Sequence, residues 1–300
     1  MTGSAEIVRR ACEQGLTIPA FNIPYLPMMQ PVVKAAVDQD CFVFITVARL
    51  EWTKFEAGGP EQIAREFRRV ADLDYMRLHL DHVPVIDEDD LQVDYMPIFQ
   101  AALQAGYHSL MVDASRLDLA GNIQATRRAA SLAREAGVPC EAELGAVLGH
   151  EAGPLPPYDE LFESGMGFTD VEEAARFVTE TQCDWLSVAI GNVHGAVSGA
   201  AKDKKKIRAR LNLEHLEALR DATGVPLVLH GGSGIPKDSV NQAVKRGIAK
   251  VNVATEIRQA YEAALKDGAS PTGAQNAVYE RTVSLLRDHF ELTGKRCALV

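Results

Sequence analysis

Eight short apolar runs, each leading into a longer charged segment, constrain the fold more than any other feature of this chain. They are IPAFNI (18–23), CFVFITVA (41–48), YMRLHLDH (75–82), HSLMVDAS (108–115), VPCEAELG (138–145), WLSVAIGN (185–192), VPLVLHGG (225–232) and KVNVAT (250–255). Several are rich in valine, isoleucine and leucine with little strict alternation, which suits strands buried on both faces of a parallel sheet. The segments between them carry a 3.6-residue pattern, as in ATRRAASLAREAG (125–137), DVEEAARFVTETQ (170–182), NLEHLEALRDATG (212–224) and DSVNQAVKRG (238–247). Two of these end at Gly137 and Gly224, each followed by Val-Pro and a new apolar run; glycine just past a helix is the expected stop signal. Eight strands alternating with helices predict an α/β fold, the (β/α)8 TIM barrel, with a doubly wound sheet plus an extra domain as the competitor. Barrels of about 250 residues form one domain. The chain has 300 residues and no low-complexity linker, so one domain over 1–300 is expected.

Two irregular stretches, at about 146–168 and 195–211, interrupt the alternation. Both follow the C-terminal ends of predicted strands, where barrel active sites sit, so they are read as active-site loops rather than plain surface insertions. The chain carries 31 Lys and Arg against 41 Asp and Glu, a net charge of −10. That argues against nucleic acid or an anionic membrane as partner, both of which need basic surface. It leaves room for a local phosphate site made by a few cations or backbone N–H groups. The five cysteines are scattered, with no C-x-x-C pair, which excludes a zinc ribbon and fits a reducing compartment. The N-terminal segment mixes charges of both signs without an apolar signal core, and no run approaches a membrane span. The expectation is a soluble, cytoplasmic protein.

Three of the eight histidines, His82, His194 and His230, fall at the ends of predicted strands. In a barrel those ends converge on one face, where three imidazoles can bind Zn²⁺ and leave a position open for chemistry. A lone histidine at a strand end is more often a hydrogen-bonded structural residue; three at corresponding places raise the odds of a metal centre. Asp81 precedes His82, and adjacent strand residues point to opposite faces. Both reach one site only if the strand ends or twists there. Asp81 is then either an orienter of the ligand or a general acid/base, with spacing alone favouring neither. His79 shares the parity of Asp81 and is expected to be buried. HGGSG (230–234) and NVAT (252–255) close the last two strands. Gly231, Gly232, Ser233, Asn252 and Thr255 could there build the phosphate site that recurs in barrels, although one glycine-rich turn alone is a weak signal.

Taken together, AFNI (20–23), HLDH (79–82), MVDAS (111–115), EAELG (141–145), VAIGNVHG (188–195), LVLHGGSGIP (229–236) and KVNVATE (250–256) resemble the class II, zinc-dependent ketose-bisphosphate aldolases, which include fructose- and tagatose-bisphosphate aldolases. The resemblance runs from about residue 20 to 266. It implies reversible retro-aldol cleavage of a phosphorylated ketose to dihydroxyacetone phosphate and an aldehyde, with Zn²⁺ and a monovalent cation, Na⁺ or K⁺, as cofactors. His82, His194 and His230 correspond to the zinc ligands, and Glu143 to an alternative ligand. Asp81 corresponds to the acid/base at the C4 hydroxyl, and Glu151 to the mobile-loop acid that exchanges a proton on the donor carbon. Asn22, Gly195, Gly231, Gly232, Ser233, Asn252 and Thr255 correspond to residues that hold the donor and its phosphate. The family also implies a homodimer or homotetramer.

The departures concern phosphate. Ser198 stands where the family usually has a phosphate-binding lysine, Ala48 where it has a serine, and Ser270-Pro271-Thr272 where it has Asp-Pro-Arg. Arg49, beside Ala48, is a speculative replacement cation. Losing a bidentate arginine contact costs roughly 10²-fold or more in binding. The expected substrate is therefore not fructose 1,6-bisphosphate but one that lacks the distal phosphate or carries a carboxylate met by Arg49. Two other readings compete: a metal-free phosphate-binding barrel isomerase with structural histidines, and a non-catalytic barrel subunit of a partner aldolase.

Overall fold

The structure, a computed structural model, describes residues 2–147, 157–193, 209–232 and 234–300. His194, Gly195, Glu151 and Ser233, together with Ser198, part of the first expected loop and most of the second, lie outside the described residues. The strands are β1 (Ile18–Asn22), β2 (Val43–Ala48), β3 (Met76–Pro84), β4 (Ser109–Asp113), β5 (Cys140–Leu144), β6 (Trp185–Val188), β7 (Leu227–Leu229) and β8 (Ile248–Val253). Each falls on one of the eight apolar runs, and all pair in parallel, in chain order, into a closed barrel. The helices are α1 (Ser4–Glu13), α2 (Met29–Asp38), α3 (Arg49–Thr53), α4 (Pro60–Val70), α5 (Tyr95–Ala105), α6 (Leu119–Glu135), α7 (Tyr158–Ser164), α8 (Val171–Thr181), α9 (Leu213–Thr223), α10 (Lys237–Val244), α11 (Thr255–Lys266) and α12 (Pro271–Ser284). Closure settles the choice between barrel and doubly wound sheet. Gly224 caps α9 with a left-handed backbone (φ +66°), as its sequence position predicts. No helix among the described residues is long and apolar enough to cross a membrane.

Strand parity divides the core in two. Outward residues such as Phe21, Ile45, Leu78 and Leu80 pack beneath the surrounding helices. Inward residues at the barrel's N-terminal end, Ile18, Ala20, Phe44, Trp185, Val228 and Ala249, form a second cluster with Ile7, Val8 and Ala11 of α1. The apolar stripe of α1 therefore plugs the bottom of the barrel, with Phe44 and Trp185 rings 5.8 Å apart above it. One layer further up, the inward residues become polar: Thr46, His79, Ser109, Glu141, Ser187 and Lys250, all buried. Burying such groups is costly unless they pair, and this layer forms the floor of the cavity at the C-terminal mouth.

Candidate active site

Asp81 and His82 do share one site, and the backbone shows how. The β3–β4 register shifts between Leu80 and Val83, and His82 has φ +28°. This β-bulge breaks the alternation of the strand, so two consecutive side chains face the same cavity. Both line it, in a space of about 490 Å³ shared with Asn22, Glu143, His230, Gly231, Asn252 and Thr255. The Asp81 carboxylate is clamped from both sides. Asn22 Nδ2 donates to Oδ2 at 2.8 Å and Asn252 Nδ2 to Oδ1 at 2.9 Å. The Asn252 amide is itself oriented by Lys250 Nζ, which donates to its Oδ1 at 2.7 Å. Burial opposes ionisation of Asp81, but the neighbouring His82, His230 and Lys250 outweigh it and hold the carboxyl well below the usual range.

The two histidines are aimed by carboxylates. His82 Nδ1 lies 3.1 Å from Asp113 Oδ2, and Asp113 Oδ1 is fixed by Ser115 Oγ at 2.6 Å. His230 Nε2 lies 2.8 Å from Glu141 Oε1. Glu141 is in turn anchored by Lys250 Nζ, 2.9 Å from Oε2. With those outer nitrogens donating to carboxylates, the inner ones, His82 Nε2 and His230 Nδ1, face each other at 2.5 Å. Two imidazole nitrogens at that separation share a proton, and with Asp81 they form a group of ligand atoms within 4.8 Å of one another, a donor set that fits a metal of zinc's preference. Without a metal the proton takes that place: burial disfavours the imidazolium, yet Asp81, Asp113 and Glu143 push His82 up to about 10. Glu143 lies 3.9 Å from His230 Nδ1 and accepts from Ser187 Oγ at 3.1 Å. Its carboxyl is pushed by burial, then by Asp113, up to about 8. His79 is buried as its parity predicts, its Nδ1 2.8 Å from Ser109 Oγ.

Of the remaining expected residues, Gly231 lines the cavity while Gly232 packs against β8. A Cβ at Gly232 would sit 2.5 Å from Val251 Cγ1 and 2.9 Å from the Asn252 carbonyl oxygen. Arg49 is not among the lining residues; its Nη1 lies 3.3 Å from Asp87 Oδ2. The arginines that line the cavity are Arg116 and Arg258, which sequence reading did not single out. Also missed were Glu141 and Glu51. Glu51 lines the cavity, is buried, and accepts the Ala48 N–H at 2.8 Å and Asn22 Nδ2 at 3.4 Å. The only trace of Glu51 in the sequence is a glutamate three residues after a strand end, the position that caps a helix. Glu141 stood inside the EAELG motif, two residues before Glu143 and so on the same strand face.

Known proteins resemble the chain over most of its length. The model of the family "Fructose-bisphosphate aldolase class-II" matches residues 2–297. The uncharacterised protein YdjI of Escherichia coli K12 is 42% identical over 185 residues, covering 62% of this chain and 61% of that protein. A 6-phospho-5-dehydro-2-deoxy-D-gluconate aldolase of Halalkalibacterium halodurans is 30% identical over 304 residues, 97% of this chain and 96% of the relative. The crystal structure titled as the YdjI aldolase from E. coli K12 superposes with a TM-score of 0.76 at 29% identity, covering 99% of this chain and 100% of that one. With a barrel mouth that gathers an ionised aspartate against carboxylate-aimed histidines, and a family match along nearly the whole length, the chain belongs to the class II fructose-bisphosphate aldolases.

Proposed function

We propose that the protein is a zinc-dependent aldolase that reversibly cleaves a phosphorylated ketose into dihydroxyacetone phosphate and an aldehyde different from that of fructose 1,6-bisphosphate. The observation that carries this reading is the Asp81 carboxylate, clamped by Asn22 and Asn252 beside the facing nitrogens of His82 and His230. His82 and His230 would hold zinc with His194, and Glu143 is the alternative ligand. Bound zinc supplies a Lewis acid that draws charge from the donor carbonyl as the carbon–carbon bond breaks.

The chain's own residues do the rest. Asp81 is ionised and turned toward the cavity, so it accepts the proton of the C4 hydroxyl as the C3–C4 bond breaks. Its two amide partners hold it in place without neutralising it. Asp113 and Glu141 fix the rings of His82 and His230, which keeps both histidines in the tautomer that points a lone pair inward. Glu151 would return a proton to the donor carbon. Gly231, Ser233, Asn252 and Thr255, with Asn22 and Gly195, would hold the donor and its phosphate. A monovalent cation, Na⁺ or K⁺, and a cytoplasmic homodimer or homotetramer belong to the same reading.

Two features support an altered acceptor. Ser270, in the stretch where the family has its arginine segment, is the N-cap of α12 and accepts the Gly273 N–H at 3.2 Å. Ala48 lines the cavity but offers no hydroxyl. The relatives' names include both a fructose bisphosphate and a phosphorylated sugar acid, so the far end of the substrate varies within this family.

The test is activity of the purified protein with dihydroxyacetone phosphate and a panel of aldehydes, before and after chelation. Activity should vanish with chelator and return with Zn²⁺. Asp81→Ala should lower kcat by about 10²–10⁴, the usual worth of a general acid/base, with zinc content unchanged. Turnover indifferent to chelation, or an Asp81→Ala variant with full kcat, would sink the proposal.

A further inference from the structure

Arg258 is the cation that neither the fold nor the donor site accounts for. It lies in the first turn of α11, three residues after Thr255 and therefore on the same helix face. It lines the cavity and yet is only 4% exposed. Its guanidinium rests over the Phe55 ring, 5.6 Å from the centroid. Phe55 stands edge-on to Tyr25 at 5.9 Å. The Tyr25 hydroxyl donates to Glu262 Oε1 at 2.7 Å, and Glu262 Oε2 accepts Arg258 Nη1 at 2.7 Å. Glu262 is thus held at both oxygens and sets the plane of the guanidinium. Among the described residues that carboxylate is the one hydrogen-bonding partner of the Arg258 side chain. A guanidinium carries five N–H donors in a rigid fork, and holding one in apolar surroundings is costly unless it has further work.

Position says which end of a substrate it serves. The donor residues Gly231, Asn252 and Thr255 come from the ends of β7 and β8. Arg258 lies over the Phe55 ring, which follows α3, and shares the cavity lining with Pro24 of the loop after β1 and with Ala48 and Leu50 at the β2 end. Asp81, at the bond to be broken, lines the same cavity. The other arginines near this mouth are also held by acids, but their side chains are more exposed, 21% for Arg49 and 41% for Arg116 against 5% for Arg258. Arg49 pairs with Asp87, and Arg116 donates to the Asp87 carbonyl oxygen and, at 2.7 Å, to Asp90.

We propose that Arg258 determines acceptor specificity by receiving a terminal carboxylate on the aldehyde half of the substrate; this rests on the aldolase reading above. Charge selects carboxylate over phosphate. The Arg258–Glu262 pair is balanced, so the site offers one oriented fork edge rather than an excess of positive charge. A planar monoanion fits that edge bidentately, whereas a dianionic phosphate wants further cations. The low exposure of the site strengthens such a bond.

The experiment compares three acceptors with dihydroxyacetone phosphate: succinic semialdehyde, butanal of the same chain length, and glyceraldehyde 3-phosphate. The unaltered protein should prefer succinic semialdehyde over butanal by about 100-fold in kcat/KM, the worth of one charge-assisted fork contact, and should use glyceraldehyde 3-phosphate less well. In Arg258→Ala that ratio should fall to a few-fold. In Arg258→Lys, which keeps the charge over Phe55 but loses the fork, it should lie between. The ratio is read within one protein, so a general loss of activity does not imitate the effect, and the lysine variant decides alone where the alanine variant does not fold. No carboxylate preference in the unaltered protein, a preference that survives both substitutions, or glyceraldehyde 3-phosphate as the better acceptor overturns the proposal. Deuterium exchange into dihydroxyacetone phosphate without any acceptor keeps the two readings apart. Exchange present with no carboxylate preference defeats the Arg258 assignment only. Exchange and aldol product both absent in the zinc-loaded protein defeat the aldolase reading and this assignment with it.

Discussion

Asp113 lines the cavity, and through one hydrogen bond it decides what His82 can do. Its carboxylate accepts a hydrogen bond from Nδ1–H, which turns the Nε2 lone pair toward His230. Asp113→Asn should therefore weaken zinc binding by about 10–100-fold, the usual effect of removing a ligand's orienter. Competition with a chromogenic chelator measures this directly, and unchanged affinity would show that the ring needs no such anchor. Glu51 presents a different case. Burial pushes its carboxyl from 4.5 up to about 8, against the opposing pull of the Ala48 N–H. Between those values the folded chain keeps a proton that the unfolded chain has released, so its contribution to stability falls as pH rises through that window. Glu51→Gln removes the penalty. Melting of the chelated protein should show the variant gaining more over its parent at pH 8 than at pH 5; equal gains at both would contradict the raised value. That His82, His230 and Asp81 meet at one cavity was legible in the sequence because strand ends in a barrel converge. Glu51 and Arg258 were not, because a glutamate or arginine in a helical segment reads as solvated surface until packing shows which way it turns.

The bulge in β3 is the element on which the site depends. A regular strand would send Asp81 and His82 to opposite faces, and the left-handed backbone at His82 brings them to one. The HLDH motif raised the question of how both reach the cavity, but nothing in its four letters specifies a bulge; the offset pairing with β4 does. The turn after β7 works by close approach. Gly232 sits where any Cβ would press on Val251 and the Asn252 carbonyl. Overpacking of this kind costs about 1–3 kcal/mol. Gly232→Ala should therefore lower the melting temperature, and should also lower kcat/KM by shifting Asn252, which clamps Asp81. A variant that melts lower with full kcat/KM would show that β8 absorbs the strain without moving the amide.

For the whole molecule, the barrel separates stability from chemistry along its axis. The bottom is apolar and closed by α1; the top is polar and open. With no described arginine in the 270–272 stretch and Ala48 at the end of β2, ketose monophosphates with a different distal group should be cleaved faster than fructose 1,6-bisphosphate. Comparative cleavage rates test this, and fructose 1,6-bisphosphate as the best substrate by a wide margin would end the idea. Much of this architecture follows from the chain read alone. Eight β-rich runs alternating with helical segments leave few ways to bury both faces of every strand, and a closed parallel barrel is one of them. That His82 and His230 stand at strand ends was equally plain, because residue type and strand position suffice for that. Only the tertiary structure decided which carboxylates aim those imidazoles, which amides clamp Asp81, and that Arg258 rather than Arg49 lines the cavity. Those are contacts between residues far apart in the chain, as His230 with Glu141 or Tyr25 with Glu262. They exist only because strand register and helix rotation bring the partners within hydrogen-bonding distance, and no local pattern encodes that distance.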